Sequence, residues 1–232
     1  MTSQRQADRV AVVTGGSAGL GLALVRALAG RGWHVVTDGR DERRFKEAGL
    51  PDEVHVVVGD VTDAEHRQEL VAAVAGLGRL DLLVHNASTL GPLPMGPLAR
   101  TAGDDLQHVL RTNLGAPLVL TGQLLAPLRA SAGVLLSISS DAAVQHYENW
   151  GLYGASKAAL DHATLTWAAE TGLTAYAVDP GDMRTQMHQD AFPDEDISDR
   201  PLPETVVPHL LALLEARPES GRYRAGVGPW VR

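Results

Sequence analysis

The sequence predicts an α/β fold: a doubly wound parallel sheet of six to seven strands with helices on both faces. Three observations carry this expectation. Short runs of Val, Leu and Ile alternate repeatedly with longer segments of helical apolar spacing. The strand runs are apolar at nearly every position, as required in a sheet covered on both sides. The first run ends in a glycine-rich turn that opens a helix, Thr14-Gly15-Gly16-Ser17-Ala18-Gly19-Leu20-Gly21.

Val10–Thr14 is the first strand and Leu20–Gly30 the first helix, which Gly30-Arg31-Gly32 stops. Trp33–Thr37 and Val54–Val58 read as the second and third strands. Asp63–Leu77 is an amphipathic helix, with Thr62 or Asp63 as its cap. Leu80–His85 is the fourth strand. Leu106–Leu128 reads as one long helix despite Gly115 and Pro117. Val134–Ser139 is the fifth strand, Tyr153–Thr171 a long helix and Leu173–Val178 the sixth strand. A last strand near Tyr223–Ala225 is weakly signalled. Strand–helix–strand alternation implies parallel pairing with right-handed crossovers. The chain has no linker and no internal repeat, so residues 1–232 are expected to form one domain. His188–Leu202, "HQDAFPDEDISDRPL", is acidic and proline-punctuated. It reads either as a substrate loop or lid, or as a solvated surface connection.

The glycine turn admits two readings. Gly15-Gly16-Ser17-Ala18-Gly19 satisfies G-x-S-x-G, which would make Ser17 a hydrolase nucleophile. That elbow, however, follows several strands of its sheet, whereas this turn follows the first. The first strand is where a doubly wound sheet binds a dinucleotide pyrophosphate, on the N–H groups that open the first helix. The spacing here is T-G-x-x-x-G-x-G rather than G-x-G-x-x-G.

Composition narrows the function further. The net charge is −8, with no basic stripe for nucleic acid. There is no cysteine, so disulfides, thiolate chemistry and cysteine-based zinc sites are excluded. Nine histidines are scattered without metal-ligand spacing, and no metal is expected. No apolar run is long enough for a bilayer, and the opening "MTSQRQADR" lacks a secretory apolar segment; the expectation is a cytoplasmic protein.

Taken together, these motifs resemble those of the short-chain dehydrogenase/reductase family, whose domain is of the compact Rossmann type. Thr14 to Gly21 is similar to the cofactor turn, with Gly15, Ser17, Gly19, Leu20 and Gly21 as its binding residues. Asp60-Val61 resembles the pair beside the adenine ring. Asn86-Ala87 resembles the NNAG motif, although His85 and Ser88 replace its first and last members. Asn113 stands at the active-site asparagine. Ser140, Tyr153 and Lys157 match the catalytic serine, tyrosine and lysine; family spacing picks Ser140, with Ser139 the fallback and Ser137 in the strand. Pro180-Gly181 followed by Thr185 resembles the motif flanking the nicotinamide.

The resemblance implies hydride transfer between a nicotinamide and a ketone or alcohol, as in carbonyl reductases. Tyr153 would be the acid–base group, Ser140 a donor to the carbonyl oxygen, and Asn113 the holder of a relay water. Tyr153 and Lys157 share a helix face, and the ammonium is expected to lower the phenol pKa from its ordinary value of about 10. Lys157 would also hold the nicotinamide ribose. Gly39 at the end of the second strand, with Arg40 next, favours NADP(H) over NAD(H). Asp38 keeps the NAD(H) alternative open as a ribose acceptor, and Ala18 occupies a loop position where NADP-using relatives carry a base.

Leu90, Leu93, Met95, His146, Trp150, Met183, Met187 and Phe192 are candidate pocket residues for a small or medium, partly apolar carbonyl compound. Asp141 and His146 read as loop residues beside that mouth. "NWGLYGASKAALD" and "PGDMRTQM" are similar to sepiapterin and benzil reductases, which implies a pteridine side-chain ketone or a vicinal dicarbonyl. Pairing of copies through the two long helices, as a homodimer or homotetramer, is expected from surplus apolar residues such as Ala159, Leu160, Ala163, Leu165 and Trp167. The alternative function is a cofactor-binding sensor or scaffold of the same fold that does not catalyse. A sugar-nucleotide epimerase would need a larger carboxyl-terminal domain.

Overall fold

The computed structural model describes residues 9–226. The polar opening segment before Arg9 and the six residues after Gly226 lie outside the described residues. Seven strands form one sheet: β1 (Val10–Val13), β2 (His34–Gly39), β3 (Val54–Val58), β4 (Leu82–His85), β5 (Val134–Ile138), β6 (Thr174–Asp179) and β7 (Gly221–Arg224). The order is β3-β2-β1-β4-β5-β6-β7, and every neighbouring pair is parallel. The order reverses at β1 and β4, where a doubly wound sheet opens a crevice at its carboxyl edge.

Alternation along the strands explains their unbroken apolar character. Val10 and Val12 enter one core, with Val36, Leu83, Leu135 and Ala175. Ala11 and Val13 enter the other, with Val35, Leu82, Val84 and Leu136. Each face is covered by helices, so both sets leave water. On the first face lie α3 (Ala64–Leu77), α5 (Ala116–Ala130) and α6 (Gly151–Thr171), contributing Leu70 and Val74, Leu120, Leu124 and Leu128, and Trp167. On the second lie α1 (Gly19–Ala29) and α8 (Pro203–Ala216), through Leu24, Leu28, Leu210 and Leu211. Each fully buried leucine contributes roughly 2 kcal/mol.

Three departures from the sequence reading have physical causes. The segment Glu42–Ala48 forms α2, although its only buried residue is Phe45. Its capping made it: Asp41 Oδ1 accepts from the N–H groups of Arg43 and Arg44, at 3.0 and 3.4 Å. Helix α8 contains two prolines, at its first position and at Pro208, and burial of its apolar face outweighs the hydrogen bond Pro208 removes.

The expected long helix is interrupted. It runs as α4 (Gly103–Leu110), a wide π turn over Arg111–Gly115, then α5. Pro117 offers no N–H to the Asn113 carbonyl four residues earlier, and its ring would crowd that oxygen; the wide turn absorbs both. Asp63 takes the cap position of α3 without a side-chain hydrogen bond, and just before it Asp60 accepts from Thr62 N at 2.9 Å. Within His188–Leu202 the chain first finishes the short helix α7 (Gln186–Ala191) and then runs irregularly. No helix among the described residues is long and apolar enough to cross a membrane.

Candidate active site

A cleft of about 550 Å³ opens at the carboxyl edge of β1, β4, β5 and β6. It is lined by Gly15, Ser17, Ala18, Gly19 and Leu20 at one end, and by Ser140, Tyr153, Lys157, Pro180, Gly181 and Thr185 at the other.

The glycine turn is fastened by backbone chemistry. Gly15 has φ +70°, a left-handed conformation, and a Cβ there would come within 2.9 Å of Ala87 Cα. A Cβ on Gly21 would overlap the Gly15 carbonyl oxygen and the Asn86 amide. Asn86 donates from Nδ2 to the Thr14 and Gly15 carbonyls, at 2.9 and 3.1 Å. Thr14 Oγ1 accepts from the N–H groups of Asn86 and Ala87, at 3.0 and 3.1 Å. Asn86-Ala87 therefore holds the turn against β4. Helix α1 starts at Gly19 behind Ala18, which has no side-chain cap, so its first N–H groups remain available for an anion.

Asp38 is buried at 2% exposure, and both its oxygens are taken. Oδ1 accepts from Gly15 N at 2.7 Å, and Oδ2 lies 3.1 Å from His66 Nε2. Asp38 thus corrects the expectation that it could serve a ribose: it is the internal anchor of the turn. Asp60 is the acid at the rim beside Gly39. That rim carries Ser17, whose hydroxyl stands over Gly39, together with Arg40, Arg44, Asp60 and Val61. Arg40 is highly exposed and only 3.9 Å from Asp60, a loose pair of little strength. Burial pushes the Asp60 carboxyl up, but the Thr62 N–H and hydroxyl and Arg40 outweigh it and hold its pKa below the usual value.

At the other end Ser140 follows β5 and caps a single 3-10 turn, Asp141–Ala143. Its hydroxyl accepts from Ala142 N at 3.2 Å and donates to Asp141 Oδ1 at 3.1 Å. Helix α6 approaches this turn closely because residue 154 is glycine: a Cβ there would sit 2.6 Å from the Ala142 carbonyl oxygen. That approach brings Tyr153, in the first turn of α6, beside the serine. The Ser140 and Ser88 hydroxyls both act on the Tyr153 phenol and favour its charged form. Asn113 is fully buried, and its side chain is committed. It donates to Thr89 O and Ser156 Oγ, each at 2.9 Å, and accepts from Thr89 N at 2.8 Å and Ser88 Oγ at 3.2 Å. This side chain joins the loop after β4 to α6.

The electrostatics also differ from the expectation. Burial pushes the Tyr153 phenol well above its ordinary pKa, and Asp141 and Asp179 add to this; Ser140 and Ser88 only soften it. Lys157 Nζ lies 5.6 Å from the Tyr153 ring centre, donates to Ile138 O at 2.8 Å, and is pushed down to about 8 by burial. Both groups sit where charge is poorly solvated, and burial is the largest influence on each. The phenol is thus raised by burial, not lowered as expected from the neighbouring ammonium.

Of the candidate pocket residues, Leu90, Leu93, Trp150, Met183 and Met187 line the cleft. Met95 packs behind it against Leu90, Ala142 and Tyr153. Phe192 stacks behind Trp150, with ring centres 5.6 Å apart, and His146 is exposed outside the lining. Ser88, Arg44 and Asp179 line the cleft without having been singled out. The signal for Ser88 was its departure from the NNAG motif; His85, the other departure, is buried and sits 2.7 Å from the Thr121 hydroxyl.

A family model described as short chain dehydrogenase matches residues 9–196. The uncharacterized oxidoreductase YciK of Escherichia coli (strain K12) is 32% identical over 219 residues, 89% of this chain and 86% of that protein. A short chain dehydrogenase of Shigella flexneri, solved in complex with NADP, has a TM-score of 0.85 at 30% identity, covering 94% of this chain and 96% of the other. One from Escherichia coli CFT073, in complex with NADPH, has a TM-score of 0.86 at 29% identity, covering 95% and 97%.

Proposed function

The chain belongs to the short-chain dehydrogenase/reductase family, and from that premise we propose that it is an NADP(H)-preferring carbonyl reductase acting on a small or medium, partly apolar ketone or diketone. One observation carries the reading. A single cleft holds the glycine turn with its open helix terminus at one end and Ser140, Ser88, Tyr153 and Lys157 at the other.

The residues fit a nicotinamide dinucleotide. The space that side chains on Gly15 and Gly21 would fill is kept clear, and the start of α1 suits a pyrophosphate. Asp60 and Val61 would flank the adenine, and Pro180, Gly181 and Thr185 the nicotinamide. NADP(H) is favoured because Asp38 is tied inward while Ser17, Arg40 and Arg44 surround Gly39, a donor set suited to a 2′-phosphate. The two NADP-complexed relatives support the same preference.

The cofactor supplies the hydride. Ser140 orients the substrate carbonyl by donating to its oxygen, and Tyr153 delivers the proton that turns this oxygen into a hydroxyl; in oxidation both steps reverse. Lys157 holds the ribose and passes protons onward. A relay water would be held at the Asn113 main-chain carbonyl, which Pro117 leaves without its usual helical donor. Leu118 and Val119 on α5 are exposed, which supports pairing of copies along that helix.

The test mixes protein with NADPH or NADH and a panel of ketones and diketones and follows nicotinamide absorbance. Carbonyl-dependent oxidation is expected, faster with NADPH. Tyr153→Phe should lower kcat by about 1,000-fold with cofactor binding retained. Tight cofactor binding without turnover of any carbonyl would instead identify a sensor.

A further inference from the structure

Lys157 has a second charged neighbour that the catalytic reading does not use. Tyr153, Lys157 and Asp161 are spaced four residues apart and share one face of α6, and all three are buried. Asp161 Oδ2 accepts from Arg222 Nε at 3.0 Å. Arg222 Nη2 donates to the Ser140 carbonyl oxygen at 2.8 Å. Arg222 belongs to β7, at the far edge of the sheet from β3. We propose that Asp161 is the counter-charge of Lys157, and that Arg222 fastens this carboxylate and the Ser140 backbone into one positioning unit.

The argument is one of charge in a buried place. An ammonium that loses water needs an anion nearby, or it gives up its proton. Around Lys157 the candidates are few. His85 on β4 is pushed down to about 3 by burial and by Lys157 itself, so it is neutral. Asp141 after β5 and Asp179 on β6 act on Tyr153, and Asp179 is paired with Arg224 at 3.6 Å. Burial lowers the Lys157 pKa, and the charge that opposes it is that of Asp161. Burial also raises the Asp161 carboxyl, which the Ser139 hydroxyl, Arg222 and Lys157 pull back. Lys157 spends its hydrogen bond on Ile138 O, so Asp161 acts through space and leaves the lysine free to turn to a ligand. The covalent step is unchanged by this unit; its contribution is where the lysine proton stays.

The inference rests on the oxidoreductase reading for its consequence, but not for its measurement. The chain contains two lysines, Lys46 and Lys157, and Lys46 lies exposed on α2. Protein labelled with 13C-lysine therefore shows two side-chain Cε signals, and the Lys157 titration can be followed without cofactor. Asp161→Asn keeps an acceptor for Arg222 and removes the charge. Its Lys157 midpoint should fall by about one unit, a tenfold loss in the ammonium-to-amine ratio at fixed pH. Arg222→Gln keeps a donor for Asp161 and removes the competing cation, so its midpoint should move upward. In turnover, the alkaline limb of kcat should move to lower pH in Asp161→Asn, with KM for the carbonyl little changed. An unmoved Cε midpoint in Asp161→Asn, or a fall in Arg222→Gln as well, would overturn the proposal. Midpoints that move as stated in a protein that reduces no carbonyl would leave the charge pair standing and overturn the catalytic reading.

Discussion

The two ends of the cleft are built in different ways. The cofactor end is tied by partly buried hydrogen bonds of 2.7–3.1 Å that involve the backbone. Thr14, Gly15, Asp38, Asn86 and Ala87 supply them, all within a few residues of strand ends. The substrate end leans on side chains. Trp150 stands edge-on to Tyr153 at 5.8 Å, with Phe192 behind it. The chain around α7 is held by Gln189 Nε2 donating to the Phe192 and Glu195 carbonyls and by Arg200 near Asp182, Glu195 and Asp199. Exposed ion pairs of this kind contribute a few tenths of a kcal/mol each. The difference teaches that one end tolerates almost no new atom, whereas the other can change its walls while the scaffold stands.

Gly21→Ala should separate the ends most sharply. Its methyl group meets backbone and the Asn86 amide, neither of which can give way, so NADPH affinity should fall by about 100-fold with a stability loss of about 1–3 kcal/mol. Isothermal titration and thermal melting measure both, and unchanged affinity would mean the turn does not touch the cofactor. Trp150→Ala should do the reverse. It removes an aromatic wall, so KM for the carbonyl should rise about tenfold while the Kd for NADPH holds. Equal damage to both constants would erase the contrast. Arg40→Ala gives the smallest effect, because its present partner is a loose surface contact. NADPH should weaken by about five- to tenfold and NADH hardly at all, a difference read by paired fluorescence titrations. An equal loss for the two cofactors would place the 2′-phosphate elsewhere.

Much of this contrast was readable in the chain. A backbone turn needs glycine at set positions, and the turn after β1 carries its glycines in order. Tyr153, Lys157 and Ser140 were legible through the family resemblance, whose spacing they match. Asp38 misled, because its neighbours Gly15 and His66 come from different strands and helices and no local pattern reports which way a carboxylate turns. Helix α2 stayed hidden because its single buried residue makes no apolar period; only Asp41 signalled it. Helix α8 was missed because two prolines argue locally against a helix that burial then enforces.

By itself the sequence determined the succession of strands, the two-faced burial of the sheet and the place of the phosphate turn, because these depend on period, glycine and short-range spacing. The tertiary structure alone decided which charges meet. It turned Asp38 inward, spent the Asn113 side chain on the loop after β4, raised the Tyr153 phenol by burial and brought Arg222 from the last strand to Ser140 and Asp161. Ionisation and hydrogen bonding depend on what the fold removes from water, and that is a property of elements far apart in the chain.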